Sequence, residues 1–501
     1  MPHTPTPEQA DAIEKFSTGR NLGVQAGAGA GKTSTLKGMA RTAPNRAGVY
    51  LAFNKTIASE ARRDMPMGVQ STTMHSLAFR MVGEALAARQ RLDQPRIASS
   101  KLARLMGINS VLRVQVDDKV RVLQPSWQAS HVMKAVTRFC QSDRAEPSIH
   151  DFPRVPQLDP PDAKGARVWR NNGALAAHLL PYLFDAWADL LTPTGRLRFS
   201  HDVYLKAAQL AGLEMPGDYL LVDEAQDLNP VMIAWLDTQR AAGKQLVFVG
   251  DSQQQIYEWR GAVDALATLA GPGAEQAWLT QSFRFGQPIA DVANVILDEL
   301  GAELRLTGTD RVASHLAPLA APDAVLCRSN AEAVHQVLNL QRMGLAPFMV
   351  GGSREIVEFT HAAVALMNGR TTNHAELACF GSWREVQDYV DQDPQGDELR
   401  TMVAMLDDYG PEIVLEALTG MAGEDQADVV VSTAHKAKGR EWPRVRLGTD
   451  FSEVAGPDGV ISAGEWRLLY VACTRAQQVL DITWATPVRQ LMTRPTLGVP
   501  A

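Results

Sequence analysis

Residues 26–33 read Ala26-Gly27-Ala28-Gly29-Ala30-Gly31-Lys32-Thr33, with Ser34 following, between the short apolar run Asn21 to Gln25 and a helical stretch that opens at Lys32. Side chains this small leave consecutive backbone N–H groups free to point at phosphate oxygens, and a helix start favours negative charge at the same spot. Lys32 then stands where it can reach the β- and γ-phosphates of a nucleotide, and Thr33 where it can hold Mg²⁺. The leading position is Ala26 where the general pattern has Gly. Such a turn can also be only a tight strand-to-helix connection, but Gly-Lys-Thr in a strand–turn–helix setting favours a phosphate loop.

Carboxylates that suit this loop stand far downstream. The segment Asp218 to Pro230, DYLLVDEAQDLNP, reads as a buried strand ending in Asp223-Glu224. A carboxylate at a strand end facing a phosphate loop can hold Mg²⁺ through water, and its neighbour can orient or deprotonate an attacking water. The plainer reading is an acidic turn that caps the helix after Asn229-Pro230. It is equally good for this segment alone and weaker once the phosphate loop stands upstream.

The elements that must position these residues follow from hydrophobic patterning. Short apolar strands alternate with helical segments at Asn21 to Gln25, Gly48 to Phe53, Tyr219 to Val222 and Gln245 to Val249, and again at Ala324 to Leu326, Val429 to Val431 and Val445 to Leu447. That alternation implies α/β architecture with two parallel sheets. Helical, Pro-punctuated sequence interrupts the pattern at residues 80–200, and a smaller interruption covers 353–425.

The chain of 501 residues carries a net charge of −7, but residues 80–200 hold 18 Lys and Arg against 11 Asp and Glu, a net of +7, so the remainder stands at −14. An acidic total would ordinarily argue against a nucleic-acid partner. The partition removes that argument, because the first interruption is basic. Cys140, Cys327, Cys379 and Cys473 are far apart with no Cys-x-x-Cys pair, which excludes a zinc ribbon and fits a reducing compartment. No run approaches the roughly 18 apolar residues of a membrane span, and the N-terminus has no export pattern, so a cytoplasmic protein without membrane contact is expected.

Six ordered segments carry a resemblance: AGAGAGKT (26–33), LLVDEAQD (220–227), VGDSQQQIYEWRGA (249–262), LTQSFRF (279–285), VSTAHKAKGREW (431–442) and LLYVACTRA (468–476). Together they resemble the UvrD/Rep-like DNA helicases of superfamily 1, and LAFNKTIASEA, TTMHSLAF and HKAKGREW look most like the F-box DNA helicase branch, without a separate F-box segment. The resemblance implies two RecA-like P-loop domains, the first formed by 1–79 and 201–275 and the second by 276–352 and 426–501. The basic helical insertion 80–200 then belongs to the first, and a reduced helical insertion 353–425 to the second. It implies ATP between the domains, with Mg²⁺ held at Thr33 and Asp223. Lys32, Thr33, Asp223, Glu224, Gln254, Arg284 and Arg475 would be the catalytic set. A guanidinium independently suits the charge that develops in phosphoryl transfer, as it suits ordinary surface ion pairs.

By the same resemblance the nucleotide would touch Ala26 to Ser34, Phe283 against the base, Glu441 at the ribose, and Lys438 and Gly439 on the phosphate side. Gln9 would read adenine, although Thr6-Pro7-Glu8-Gln9 also fits a helix capping box. Phe53, Asn54, His75, Tyr257, Trp259, Arg260 and His435 would line a single-stranded DNA track. Tyr257 and Trp259 would stack on bases, a sequence-tolerant interaction, while His75 and His435 also suit structural hydrogen bonding. The implied activity is ATP-dependent 3′–5′ translocation on single-stranded DNA with unwinding at duplex junctions, by a monomer or weak oligomer. The alternative is a DNA-stimulated ATPase that remodels nucleoprotein without processive unwinding.

Overall fold

The structure, a computed structural model, describes residues 4–493 apart from 87, 95–96, 161–167, 257–265, 267–270, 272, 373, 375, 379, 393–396 and 457–458. In chain order the strands are β1 (Leu22–Ala26), β2 (Gly48–Leu51), β3 (Val69–Thr72), β4 (Leu112–Val116), β5 (Lys119–Leu123), β6 (Tyr219–Asp223), β7 (Gln245–Gly250), β8 (Glu275–Leu279), β9 (His315–Leu316), β10 (Ala324–Cys327), β11 (Pro347–Met349), β12 (Val429–Thr433), β13 (Trp442–Leu447) and β14 (Ala476–Asp481). Two six-stranded sheets result, β3-β2-β6-β7-β1-β8 and β11-β12-β10-β13-β14-β9, and every pairing within them is parallel. This is the doubly sheeted α/β architecture expected from the sequence.

Strands buried on both faces explain the continuous apolar runs. In the first sheet Leu221, Val247 and Val249 face a core with Leu36 and Met39 of the helix Lys32–Thr42, while Leu220, Val222, Leu246 and Phe248 face the opposite core. That second core continues into the insertion through Trp127, Phe139, Leu179 and Trp187, so the basic arm is fused to the sheet. In the second sheet Val325, Cys327, Val429 and Val431 share one core with Phe359, Trp383, Leu406 and Leu418 of the smaller insertion. The smaller insertion therefore lies against the sheet as part of its covering layer.

Two expectations change. Strand β8 pairs with β1 in register Leu22 to Glu275, so the first sheet extends to Leu279 and beyond the expected boundary at 275. The first insertion, expected to be helical, also holds the antiparallel hairpin β4–β5, in which Arg113 faces Val122 and Gln115 faces Val120. Its period-2 alternation on either side of Asp117-Asp118, with Asp117 at φ 48°, is what a hairpin requires.

Candidate functional site

The phosphate-loop residues join β1 to the helix Lys32–Thr42, and Gly29 and Gly31 hold φ of 72° and 76°. A Cβ at Gly29 would meet Ser282 Oγ at 2.6 Å and Arg284 Cβ at 2.7 Å, and one at Gly31 would meet Gln9 Nε2 at 2.8 Å. Only glycine permits both the backbone and the closeness. Across the loop, parallel pairing of β6 and β7 beside β1 brings Asp223 and Glu224 to the same sheet end. Lys32 Nζ lies 2.7 Å from Glu224 Oε2, and the Thr33 hydroxyl lies 3.4 Å from Asp223 Oδ2. Tyr50, on β2, donates to the same Asp223 oxygen at 2.6 Å, and Gln226 donates to Glu224 at 2.6 Å.

Electrostatics at this sheet end are tightly coupled. Burial would lower the Lys32 ammonium's pKa, but Glu224, Asp223 and Asp251 outweigh it and raise it. Burial and the neighbouring Glu224 push the Asp223 carboxyl up. Burial acts on Glu224 in the same direction, yet the charges of Lys32 and Lys438 bring it down to about 2. Glu224 also takes a left-handed backbone, φ 52°, a conformation that costs a non-glycine residue about 1 kcal/mol or more and concentrates at functional sites.

Beside the loop is a cavity of about 530 Å³ lined by Gln9, Ile13, Gly31, Ser34, Gly38 and Phe283, among others. An aromatic ring on one wall and an amide at the edge suit a nucleotide base. Both readings of Gln9 meet here. It completes the capping box, accepting from Thr6 N–H at 3.1 Å while its own N–H donates to Thr6 Oγ1 at 3.2 Å, and its amide nitrogen still faces Gly31 in the cavity wall.

The second domain closes the site from the far side. Arg475 is 1% exposed, donating to Val471 O at 2.8 Å, Thr474 Oγ1 at 2.9 Å and Gln254 Oε1 at 3.3 Å. Burial and nearby Arg284 lower its pKa to about 9, which leaves it charged at neutral pH. Gln254 donates to Asp251 at 2.7 Å, and Tyr470 donates to the same carboxylate at 3.0 Å while accepting from Ala28 N–H at 3.3 Å.

Three residues expected at the nucleotide have protein partners. Arg284 Nε bonds Glu441 Oε2 at 2.5 Å and Arg284 Nη1 donates to Thr474 O, so the expected phosphate and ribose groups hold each other. Glu441 also accepts from Gln477 at 2.8 Å. Lys438, expected on the phosphate side, binds both oxygens of Asp227 at 2.6 and 2.8 Å. Gly439 follows at φ 83°.

Of the expected DNA-track residues, Phe53 is half exposed, and Asn54 caps the helix Lys55–Asp64 through Ile57 N–H at 2.9 Å. His75 Nε2 pairs with Asp202 Oδ1 at 3.1 Å, and Gln141 holds the other Asp202 oxygen. Burial alone would raise the Asp202 carboxyl, but those two neighbours lower it. His435 stands in the short helix Ala434–Ala437. Tyr257, Trp259 and Arg260 lie outside the described residues. Sequence reasoning missed Tyr50, Asp227, Asp251 and Tyr470 as members of the site. The last three sat inside quoted motifs, while Tyr50 is one apolar-flanked strand residue with no signal of its own.

Residues 5–268 match the UvrD/REP helicase N-terminal domain, and residues 380–487 match the UvrD-like helicase C-terminal domain. The chain is 28% identical to F-box DNA helicase protein 1 of Schizosaccharomyces pombe, over 95% of this chain and 57% of that protein. It is 27% identical to F-box DNA helicase 1 of Gallus gallus, over 93% of this chain and 47% of that one. DNA helicase II of Escherichia coli is 36% identical over 18% of the chain and 14% of its own length. The chain thus spans about half the length of the F-box relatives it matches. With more than half of its residues inside the N-terminal match, and its lysine, carboxylates and arginines converging between two parallel sheets, the chain belongs to the UvrD/REP helicase family.

Proposed function

We propose that the chain is an ATP-dependent translocase on single-stranded DNA that unwinds duplex junctions with 3′–5′ polarity. The observation that carries this reading is that Lys32, Thr33, Asp223 and Glu224 of one domain gather at one sheet end, where Arg475 of the other domain lies close enough to feel the Glu224 and Asp251 charges and is joined through Gln254 to Asp251. The glycine cradle and the ring-walled cavity fit a nucleoside triphosphate, with Thr33 and Asp223 as the groups that would hold Mg²⁺. Bound Mg²⁺ would neutralise phosphate charge during hydrolysis. Ionised at neutral pH, Glu224 can orient a water and accept its proton, and Arg475 can meet the charge that develops on phosphate oxygens. Because the two domains supply different parts of one site, loss of the γ-phosphate would change how they pack, which is what moves a strand.

Single-stranded DNA should stimulate ATP hydrolysis, and Lys32→Ala should lower kcat by about 10³-fold or more while sparing much of the DNA affinity. Persistent hydrolysis in that variant would refute the site assignment. Strand displacement on tailed duplexes reads the polarity, and unwinding only from 5′ tails would refute the direction. The alternative, nucleoprotein remodelling without processive unwinding, is favoured by one feature, the packing of the small insertion into the second sheet's own core. Translocation without strand displacement would select it.

A further inference from the structure

Lys438 lies in the second domain just beyond the helix Ala434–Ala437, yet its ammonium sits in the first domain. It binds Asp227 Oδ2 at 2.6 Å and Oδ1 at 2.8 Å, and the backbone carbonyl of Gln254 at 2.7 Å. Both side chains of the ion pair are almost fully buried, at 8% and 1% exposure. Gln254 is therefore gripped twice from the second domain, by Lys438 at its carbonyl and by Arg475 at its side chain. Asp227 and Gln254 belong to two short turns, Ala225–Asp227 after β6 and Ser252–Gln254 after β7, which carry Glu224 and Asp251 at their starts.

We infer that Lys438 is a positioning residue, a clamp that locks these two turns of the first domain to the second and so holds Gln254 and Glu224 in register with Arg475. This rests on the hydrolytic reading of the site. The physical case is one of geometry and desolvation. A buried lysine with three oxygen partners from two turns fixes their separation, and removing it leaves a buried Asp227 carboxylate unpaired, which disfavours the closed interface. A phosphate ligand would instead keep its ammonium available to the nucleotide, and losing it would weaken nucleotide binding.

The test separates these roles. With Met67 and Met343 replaced by cysteine for dye labelling in a Cys379→Ser background, energy transfer reports the distance between domains without nucleotide. Met67 is 99% exposed in the first domain and Met343 is 69% exposed in the second. Lys438→Met is expected to lower and broaden the transfer, and to reduce DNA-stimulated kcat about tenfold or more at a KM for ATP within about twofold. Asp227→Asn should act in the same direction, and Lys438→Arg should restore most of both readouts. Circular dichroism confirms that each variant is folded. Unchanged transfer in Lys438→Met and Asp227→Asn overturns the clamp, as does a variant whose loss lies in KM alone. If the wild type hydrolyses no ATP, the hydrolytic reading fails, and the transfer measurement still decides the clamp.

Discussion

The surroundings of Arg475 and Lys32 ask different things of them. Lys32 is a point charge facing carboxylates, whereas the Arg475 guanidinium uses its fork, with Nε on Val471 O and Nη2 on Thr474 Oγ1 and Gln254 Oε1. A lysine cannot reproduce three directions from one planar group. Arg475→Lys should therefore lower kcat about 10³-fold, the scale of a lost arginine finger, and cost about 1–3 kcal/mol in urea unfolding as Gln254 Oε1 and Thr474 Oγ1 lose the guanidinium donor, while Val471 O keeps the Thr474 hydroxyl. Near-wild-type hydrolysis in this variant would mean that charge alone suffices there. Much of this scale was legible in the sequence. Gly-Lys-Thr, Asp223-Glu224 and the arginine of YVACTRA each announce a chemistry through residue type. What the residues do to one another was not legible. Arg284 and Glu441 are 157 positions apart, and nothing in either motif says that they pair. The Gln9 capping box was readable because both partners lie within one turn.

The helix Pro125–Gln141 carries the arm's core on one face and its charge on the other. Trp127, Val132, Ala135, Val136 and Phe139 are buried, while Lys134 and Arg138 are exposed. His131 is on the buried face, stacked on Trp127 with ring centroids 4.6 Å apart and on Phe152 at 5.8 Å. Burial, with the Lys134 and Arg138 charges adding to it, lowers its pKa to about 3. An unfolded histidine titrates near 6.5, so below that pH the unfolded chain binds a proton that the folded chain refuses. Stability from this group is complete above about pH 6.5 and falls as pH drops toward 3, by up to about 1.4 kcal/mol per unit. Urea unfolding at pH 7.5 and 5.5 should show a drop about 1 kcal/mol larger in the wild type than in His131→Phe. Equal drops would place the pH sensitivity elsewhere. Strands were read well where a short run was apolar throughout, as in β6 and β10, and poorly where a strand of similar length buries only one face. Strand β8, Glu275–Leu279, offers only Ala277 and Leu279 to the core, with Trp278 on the exposed side. In LRVQVDDKVRVL the alternation was present, but the helical stretches on both sides masked it.

At the scale of the molecule, charge is partitioned along the same lines as the fold. The insertion 80–200 is net +7 on a chain of −7, and its core is continuous with that of the first sheet, so its surface charge is held at a fixed position relative to the nucleotide site. The arm also touches the smaller insertion, where Arg121 on β5 pairs with Glu385 at 3.0 Å, and Arg91 and Arg144 pair with Asp189 and Asp151 inside the arm, so several of its cations are directed at the protein itself. Arg113, Lys134 and Arg138 are directed outward. If the arm meets nucleic acid through phosphates, each cation releases counterions on binding, and each contact contributes about 0.7 to the slope of log affinity against log salt for single strands. Replacing these three by alanine should then weaken single-stranded DNA binding most at low salt and flatten the slope by about 2. kcat at saturating DNA should stay within about twofold, because none of the three approaches the nucleotide site. Affinity measured across a salt series reads this directly. A parallel downward shift with unchanged slope would show that the arm acts through shape or stacking. An unchanged affinity would show that the strand runs elsewhere, and that the basic excess of the arm serves a different partner.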